Sequence, residues 1–291
     1  MSTMLDVWNL AKEFPAKDGP ALIVDRFDLK VTEGEFVCVI GHSGCGKSTV
    51  LSILMGLSQA TRGTVILGNK ELDGPGCDRG VVFQSAALLP WMSVLENVQL
   101  AVAQVSADKT ATERRRLARH YLALVGLEDI GDARPADLSA GMRQRVGIAR
   151  AFATDPRLLL LDEPFSLLDA ITRLDLQDQL AELCDRTRKT VVMVTHDVDE
   201  ALLLADRIVM MTSGPAARVG DVLDVPFPRP RDRSLVLSQP AYYQARDRIL
   251  SFLESPGRTR PSLVHSQAGR AAAHEPSNGA AASFPAQDAP A

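Results

Sequence analysis

The chain has 291 residues, of which 46% are hydrophobic, and it carries a formal net charge of -4 at pH 7. This length and apolar content allow a substantial core, arranged as one large domain or two small ones. The slightly negative charge does not support a general nucleic-acid binder, which usually carries a basic field, so we expect no nucleic-acid partner. The four cysteines have no CxxC spacing, which favours reduced thiols over a disulfide framework or a zinc site.

The apolar runs of the sequence are short, and none approaches the ~18 residues that a membrane-spanning helix needs. The N-terminus has no basic start followed by an apolar stretch, so we do not expect a signal peptide. We therefore expect a chain that is soluble by itself and that works at a membrane only if other subunits hold it there.

Short apolar runs alternate with helical patterns along most of the chain. Three runs have the length and composition of buried strands, at 36–40, 158–161 and 191–194. Three further stretches predict helices, at 47–57, 113–124 and 174–185. Strands flanked by helices favour an α/β fold with a parallel sheet covered on both faces.

The domain organisation follows from changes in composition along the chain. Residues 1–254 are expected to form one folded unit, with a helical subdomain at about 86–150, where the pattern is mostly helical. Residues 255–291 are rich in Ala, Pro, Ser and Gly and have no apolar period. This composition predicts a disordered C-terminal tail.

A glycine-rich segment follows the first predicted strand and begins the first predicted helix. It reads GHSGCGKS at 41–48 and fits the GxxxxGK[ST] pattern of a phosphate-binding loop. Glycines let backbone N–H groups point inward at a phosphate, and the helix N-terminus adds a favourable dipole. Lys47 is placed to neutralise the β- and γ-phosphates of a nucleotide, and Ser48 to offer a hydroxyl to Mg²⁺. The residues expected to bind the nucleotide here are Gly41, His42, Ser43, Gly44, Cys45, Gly46, Lys47, Ser48 and Thr49.

The alternative for this segment is a glycine-rich turn without a ligand. The strand–loop–helix context and the Lys-Ser pair favour the phosphate loop.

Two carboxylates, Asp162 and Glu163, follow the predicted strand 158–161 directly. The carboxyl end of a strand in such a sheet points into the ligand crevice. Asp162 is placed to hold Mg²⁺, and Glu163 to polarise the water that attacks the γ-phosphate. The alternative is an ordinary acidic cap at a strand-to-helix turn. The upstream phosphate loop favours the catalytic interpretation over this alternative.

The segment LSAGM at 138–142 resembles the signature sequence of the ABC transporter ATPase family, and the resemblance extends from residue 4 to about 253. It implies a P-loop ATPase core with a parallel sheet flanked by helices, an N-terminal antiparallel β part and a helical subdomain. The commonest signature is LSGGQ, from which Ala140 and Met142 depart. Ser139 and Gly141 remain, and the resemblance implies that they contact phosphate through the hydroxyl and a close backbone approach.

The same resemblance implies roles for four other residues. Gln84 corresponds to the catalytic glutamine that binds Mg²⁺ and links the metal site to the transmembrane partner, and Asp169 to the aspartate at the dimer interface. His196 corresponds to the histidine that contacts the γ-phosphate. Phe14 corresponds to the aromatic residue that stacks on adenine, although an isolated aromatic residue near a terminus is more often part of a core.

Family members work in pairs, because the signature of one subunit completes the ATP site of another. The resemblance therefore implies ATP and Mg²⁺ as cofactors and a second ATPase subunit, identical or related, as partner. It also implies transmembrane permease subunits, a separate solute-binding protein and a peripheral position at the cytoplasmic face of the cell (inner) membrane. Trp91 lies where the family docks on its permease; the alternative is that Trp91 is simply buried.

Further segments, among them LLPW, LLLDEPF, VTHDVDEA and VPFPRPRDR, resemble the importer ATPases for nitrate/nitrite, cyanate, taurine and sulfonates. The predicted function is ATP hydrolysis that energises nitrate or nitrite import, with cyanate or taurine/alkanesulfonate as alternative solutes. A soluble ABC ATPase would usually carry a second cassette or a long insertion. A non-hydrolysing module would usually lack the glutamate or the histidine, and a GTPase would need an NKxD motif, which the sequence does not contain.

Overall fold

The computed structural model describes residues 2–17 and 19–254. The predicted tail at 255–291 lies outside the described residues. Within them, no helix combines the length and the apolar content needed to cross a membrane. All four cysteines are free, and only Cys77 is exposed.

The strands form two sheets. Their bounds are β1 Thr3–Phe14, β2 Ala21–Thr32, β3 Phe36–Ile40, β4 Arg62–Leu67, β5 Lys70–Glu71, β6 Arg79–Val82, β7 Leu158–Asp162, β8 Thr190–Val194, β9 Arg207–Met211 and β10 Val219–Asp224. The first sheet is four-stranded and antiparallel, in the order β2-β1-β4-β5. The second is six-stranded, in the order β10-β9-β3-β8-β7-β6, and is parallel except for the β10–β9 pair. The predicted α/β fold with an antiparallel N-terminal part is confirmed.

Eight α-helices accompany the sheets in the described part of the chain. Their bounds are α1 Lys47–Leu54, α2 Val94–Val105, α3 Ala111–Leu124, α4 Ala140–Phe152, α5 Ala170–Thr187, α6 Val198–Leu204, α7 Arg233–Leu237 and α8 Pro240–Glu254. Helices α2, α3 and α4 lie between β6 and β7 in the chain and pack on one another. Reciprocal side-chain caps of Ser93 with Glu96 and of Thr110 with Glu113 begin α2 and α3.

Four of the six predicted helix ends differ from the structure by two to four residues, and two of them have a visible cause. Helix α1 ends at Leu54 rather than at 57, because Gly56 adopts a φ of +78° and a Cβ atom there would lie 2.3 Å from the Gly74 carbonyl group. Helix α5 begins at Ala170 rather than at 174, because the Asp169 carboxylate accepts a hydrogen bond from the Thr172 amide and caps it.

The central sheet separates two apolar cores. Along β3, Phe36, Cys38 and Ile40 face the core that contains α2–α6 and α8. Val37 and Val39 face the other core, between the two sheets and α1. Side chains of a strand alternate between its faces, so a strand covered on both faces is continuously apolar. The predicted strands at 36–40, 158–161 and 191–194 are confirmed for this reason.

One acidic side chain is buried beside α5. Glu200, on α6, is 5% exposed, and its Oε1 atom has no hydrogen-bond partner among the described residues. Its Oε2 accepts a weak hydrogen bond from Gln177 at 3.4 Å. Burial, with a smaller contribution from Asp197, raises the pKa of Glu200 to about 8, and Thr195, Arg173 and Gln177 oppose this only partly.

We predict that Glu200→Gln removes a pH dependence of stability. Between pH ~4.5 and ~8 the folded state keeps a proton that the unfolded state loses, so wild-type stability falls as pH rises through this window. The glutamine cannot ionise, so its free energy of unfolding should not fall in this window. Relative to wild type, the free energy of unfolding of the variant should therefore rise by on the order of a few kcal/mol by pH 8.5, since one pKa unit corresponds to about 1.4 kcal/mol.

Urea unfolding at pH 5 and pH 8.5 measures this difference. Glu182→Gln is the control, because the Glu182 side chain is 70% exposed. Equal pH dependence in wild type and Glu200→Gln would show that Glu200 is ionised in the folded state.

Candidate functional site

The predicted site residues lie at one edge of the central sheet, where four neighbouring parallel strands end. The phosphate loop follows β3, His196 follows β8, Asp162 and Glu163 end β7, and Gln84 follows β6. The pairings β3–β8, β8–β7 and β7–β6 are all parallel, so their carboxyl ends coincide. Such an edge is where α/β sheets bind ligands.

The phosphate loop wraps around the ammonium group of Lys47. Gly44 and Gly46 have φ values of 77° and 99°, and a Cβ atom on Gly46 would lie 2.7 Å from Val24 Cγ2. Lys47 is 6% exposed, and its Nζ donates to the carbonyl groups of Gly41 at 2.7 Å and His42 at 2.9 Å. The loop conformation therefore depends on glycine, and a single cation lies in its concavity.

The other loop residues divide by exposure. His42, Ser43, Gly44 and Ser48 are exposed, and Thr49 is half-buried. Cys45 is fully buried, and burial raises the pKa of its thiol, so this side chain belongs to the core and only its backbone faces the loop. The His42 ring, through Nε2, lies 2.5 Å from the Leu253 carbonyl oxygen near the end of α8.

Oxygen ligands suited to Mg²⁺ meet at the start of α1. The Ser48 hydroxyl donates to Asp162 Oδ1 at 3.4 Å. Burial and then the neighbouring Glu163 raise the pKa of Asp162, which Ser48 and Lys47 partly offset. No group of three or more His, Cys, Asp or Glu side chains in the described residues could hold a metal. A hydroxyl and one carboxylate fit Mg²⁺, which takes few protein ligands and completes its shell with phosphates and water.

Glu163 and His196 face each other. His196 Nδ1 lies 3.3 Å from Glu163 Oε2, and the two side chains are 60% and 24% exposed. The backbone of Glu163 has a φ of 44°, and its N–H donates to the Val194 carbonyl at 2.9 Å. A left-handed conformation at a non-glycine residue is costly and is typical of functional positions.

Gln84 is connected to Glu163 through the side chain of Ser166. Its Nε2 donates to the Ser166 hydroxyl at 3.0 Å, and that hydroxyl donates to the Glu163 carbonyl oxygen at 3.0 Å. Sequence reasoning did not single out Ser166 as this connection, because a serine in a short loop has no distinctive pattern.

Phe14 ends β1 and is 42% exposed, so the alternative that it belongs to the core is wrong. The Lys12 ammonium lies 4.9 Å from the centroid of its ring. An exposed ring in this position is available for stacking.

The signature residues lie at the beginning of α4. Ser139 is exposed and caps the helix, accepting from the Met142 amide at 3.2 Å. Gly141 is buried, and a Cβ atom there would lie 2.3 Å from Thr172 Cγ2, so the missing side chain lets α4 approach α5 closely. Asp169 is exposed and caps α5, and its hydrogen bonds with Thr172 lower its pKa. Among the hydrogen bonds and ion pairs of the described chain, none joins the signature to the phosphate loop.

Trp91 is 69% exposed, so the alternative that it is buried is wrong. Its loop is held by Asn97, a fully buried side chain whose amide group donates to the carbonyls of Leu89, Met92 and Ser93 and accepts from the Leu89 amide. This role of Asn97 was not predicted from the sequence, because the position of an asparagine in a helical pattern does not indicate its hydrogen-bond partners.

A cavity of about 810 Å³ lies away from this edge, between α5 and residues 229–234. Two of its arginines are paired with carboxylates, Arg229 with Asp185 at 3.0 Å and Arg233 with Asp178 at 2.7 Å. A second cavity, of about 380 Å³, opens beside the phosphate loop.

The chain is similar in sequence to known transport ATP-binding proteins. A model of the ABC transporter family matches residues 24–166. The chain is 51% identical over 252 residues to the bicarbonate transport ATP-binding protein CmpD of Synechocystis sp., covering 87% of this chain and 89% of that one. It is 50% identical over 244 residues to the nitrate import ATP-binding protein NrtD of Synechococcus elongatus, covering 84% and 89%.

Solved structures give the same answer for the fold. The dimeric post-hydrolysis state of the ATP-binding cassette MJ0796, bound to ADP and Pi, matches with a TM-score of 0.68 and 32% identity. The match covers 77% of this chain and all of that one. Since half of the aligned residues are identical to those of transport ATP-binding proteins, and the fold is that of an ATP-hydrolysing cassette, this chain is an ATPase and belongs to the ABC transporter family.

Proposed function

We propose that this chain hydrolyses ATP to energise the import of nitrate or nitrite. The likeness to the nitrate import protein NrtD supports this solute. Bicarbonate is the second candidate, because the chain is 51% identical to the bicarbonate transport protein CmpD and 50% identical to NrtD. Nitrate and bicarbonate are both small oxyanions with a single negative charge. The ATPase does not contact the solute, so its own site cannot distinguish the two.

The observation that carries the proposed hydrolysis is the convergence of Lys47, Glu163 and His196 at the ends of three adjacent strands. Lys47 binds the β- and γ-phosphates, and the amides of the loop orient them. Ser48 and Asp162, together with Gln84, would hold Mg²⁺, and the metal would neutralise phosphate charge. Glu163 accepts the proton of the attacking water, and His196 orients Glu163 and the γ-phosphate. Phe14 stacks on the adenine.

We further propose that two such subunits enclose ATP between them. The exposed Ser139 at the start of α4 offers a hydroxyl and a helix N-terminus to the phosphate of a partner, and Gly141 keeps that start close to α5. Asp169, Leu167 and Ile171 are exposed on the neighbouring surface, where a partner subunit would pack. Permease subunits hold the assembly at the cytoplasmic face of the membrane, and a separate solute-binding protein delivers the anion.

We predict that Glu163→Gln abolishes hydrolysis but not ATP binding. The glutamine is isosteric but cannot accept the proton of water, so ATP persists and holds two subunits together. Size-exclusion chromatography with Mg²⁺ and ATP should show a stable dimer, while hydrolysis falls by about a hundredfold or more.

Glu71→Gln, an exposed change on β5, is the control and should behave as wild type. Normal turnover by Glu163→Gln would defeat the assignment of Glu163 as the base.

We predict that cells lacking this chain lose nitrate uptake, and that wild type restores it but Lys47→Ala does not. Removing the ammonium leaves phosphate charge in the loop without its counter-ion. Lys70→Ala, which is exposed on β5, is the matched control and should restore uptake. Uptake of labelled bicarbonate is measured in the same strains.

Loss of bicarbonate uptake with nitrate uptake unchanged would replace nitrate by bicarbonate as the solute. If neither uptake changes, cyanate and taurine are the next solutes to test, and the ATPase assignment is judged separately by hydrolysis.

We predict that Trp91→Ala weakens association with the permease by roughly thirtyfold, because exposed tryptophans are frequent hot spots of interfaces, worth about 2 kcal/mol or more. ATP binding should stay unchanged, since Trp91 is outside the nucleotide site. Co-purification with tagged permease measures the loss. Trp8→Ala, at 66% exposure on β1, is the control, and an equal effect of both changes would contradict docking at Trp91.

A further inference from the structure

The guanidinium group of Arg173, on the first turn of α5, lies between two loops of the site. Its Nη2 donates to the Leu168 carbonyl oxygen at 3.2 Å, within the segment 163–169 that follows Glu163. Its Nη1 lies 3.7 Å from Asp197 Oδ2, in the loop 195–197 that carries His196. Both charged side chains are 33% exposed. One side chain thus joins the loop after β7 to the loop after β8.

The two oxygens of the Asp197 carboxylate contact different groups. Oδ1 accepts from the amides of Asp199 and Glu200, both at 3.0 Å, and so begins α6. Oδ2 is the atom that faces Arg173. The position of the loop 195–197 is therefore set by α6 on one side and by Arg173 on the other.

The beginning of the segment 163–169 is held in the site by the hydrogen bonds of Ser166. Ser166 donates to the Glu163 carbonyl oxygen and accepts from Gln84. Glu163 in turn faces His196 at 3.3 Å. The contacts form a closed ring, from Glu163 along the segment to Leu168, through Arg173 to Asp197, and back through His196.

We propose that Arg173 is a positioning residue, which holds His196 at its distance from Glu163 by fixing the loop 195–197 to the segment 163–169. This inference rests on the proposed roles of Glu163 and His196. Arg173 does not touch the reacting groups; it acts through His196. An arginine suits this place because one nitrogen of its planar fork donates to a carbonyl while another forms an ion pair with a carboxylate, which the single ammonium of lysine cannot reproduce.

The test measures ATP hydrolysis by the assembled transporter carrying full-length variants. We expect Arg173→Ala to lower kcat by about ten- to a hundredfold, since small misplacements of catalytic groups have effects of this size. KM for ATP should change little, because the phosphate loop is intact. Arg173→Lys should recover only part of the loss.

Two double-mutant cycles separate positioning from general structural damage. In a His196→Ala background, Arg173→Ala should cause no further loss of kcat, because it acts through that histidine. Asp197→Asn keeps an oxygen to cap α6 but removes the charge, so it should reproduce the loss, and combining it with Arg173→Ala should add nothing. Arg186→Ala, on an exposed part of the same helix, is the control and should leave kcat unchanged.

An unchanged kcat in Arg173→Ala, or losses that multiply in the cycle with Asp197→Asn, would overturn the positioning role. If His196→Ala keeps full activity, the proposed role of His196 fails as well. If His196→Ala loses activity while Arg173→Ala does not, only the inference about Arg173 fails.

Discussion

The parallel register of four strands is the constraint on which the rest of the site depends. The ladders β3–β8, β8–β7 and β7–β6 align the carboxyl ends of these strands at one edge. A phosphate loop, a histidine, two carboxylates and a glutamine are thereby neighbours, although long stretches of chain separate them. A slip of one residue in any ladder would exchange the faces of that strand, so the two apolar cores fix the register.

The rigid sheet also explains how an unfavourable backbone conformation persists at Glu163. Its amide is held by the carbonyl of Val194 on the adjacent strand, and Phe165, two residues further, is fully buried. These contacts over-determine the turn, so the left-handed φ of Glu163 is maintained by its surroundings. The carboxylate is consequently directed at His196 without relying on a flexible side chain alone.

The helical part between β6 and β7 is bonded to the same edge. On α4, the Gln144 side chain donates to the Phe83 carbonyl at 3.0 Å, and Arg150 donates to the carbonyls of Ala86 and Ala87. These bonds join the helix that begins at the signature to the backbone on both sides of Gln84. The proposed surfaces for a second ATPase and for a permease are therefore attached by hydrogen bonds to the residues around the proposed nucleotide site.

The sequence by itself determined the features that depend on local pattern. The phosphate loop, the acidic pair after β7 and the three apolar strands were predictable, because glycine spacing, a Lys-Ser pair and continuous apolar runs act over a few residues. Tertiary structure alone decided the pairing of His196 with Glu163, the bridge from Arg173 to Asp197, the close approach of Gly141 to Thr172 and the raised pKa of Glu200. In each of these cases, the packing of different elements sets the distance between two groups, their relative direction or the burial of one of them. Sequence spacing does not specify these quantities.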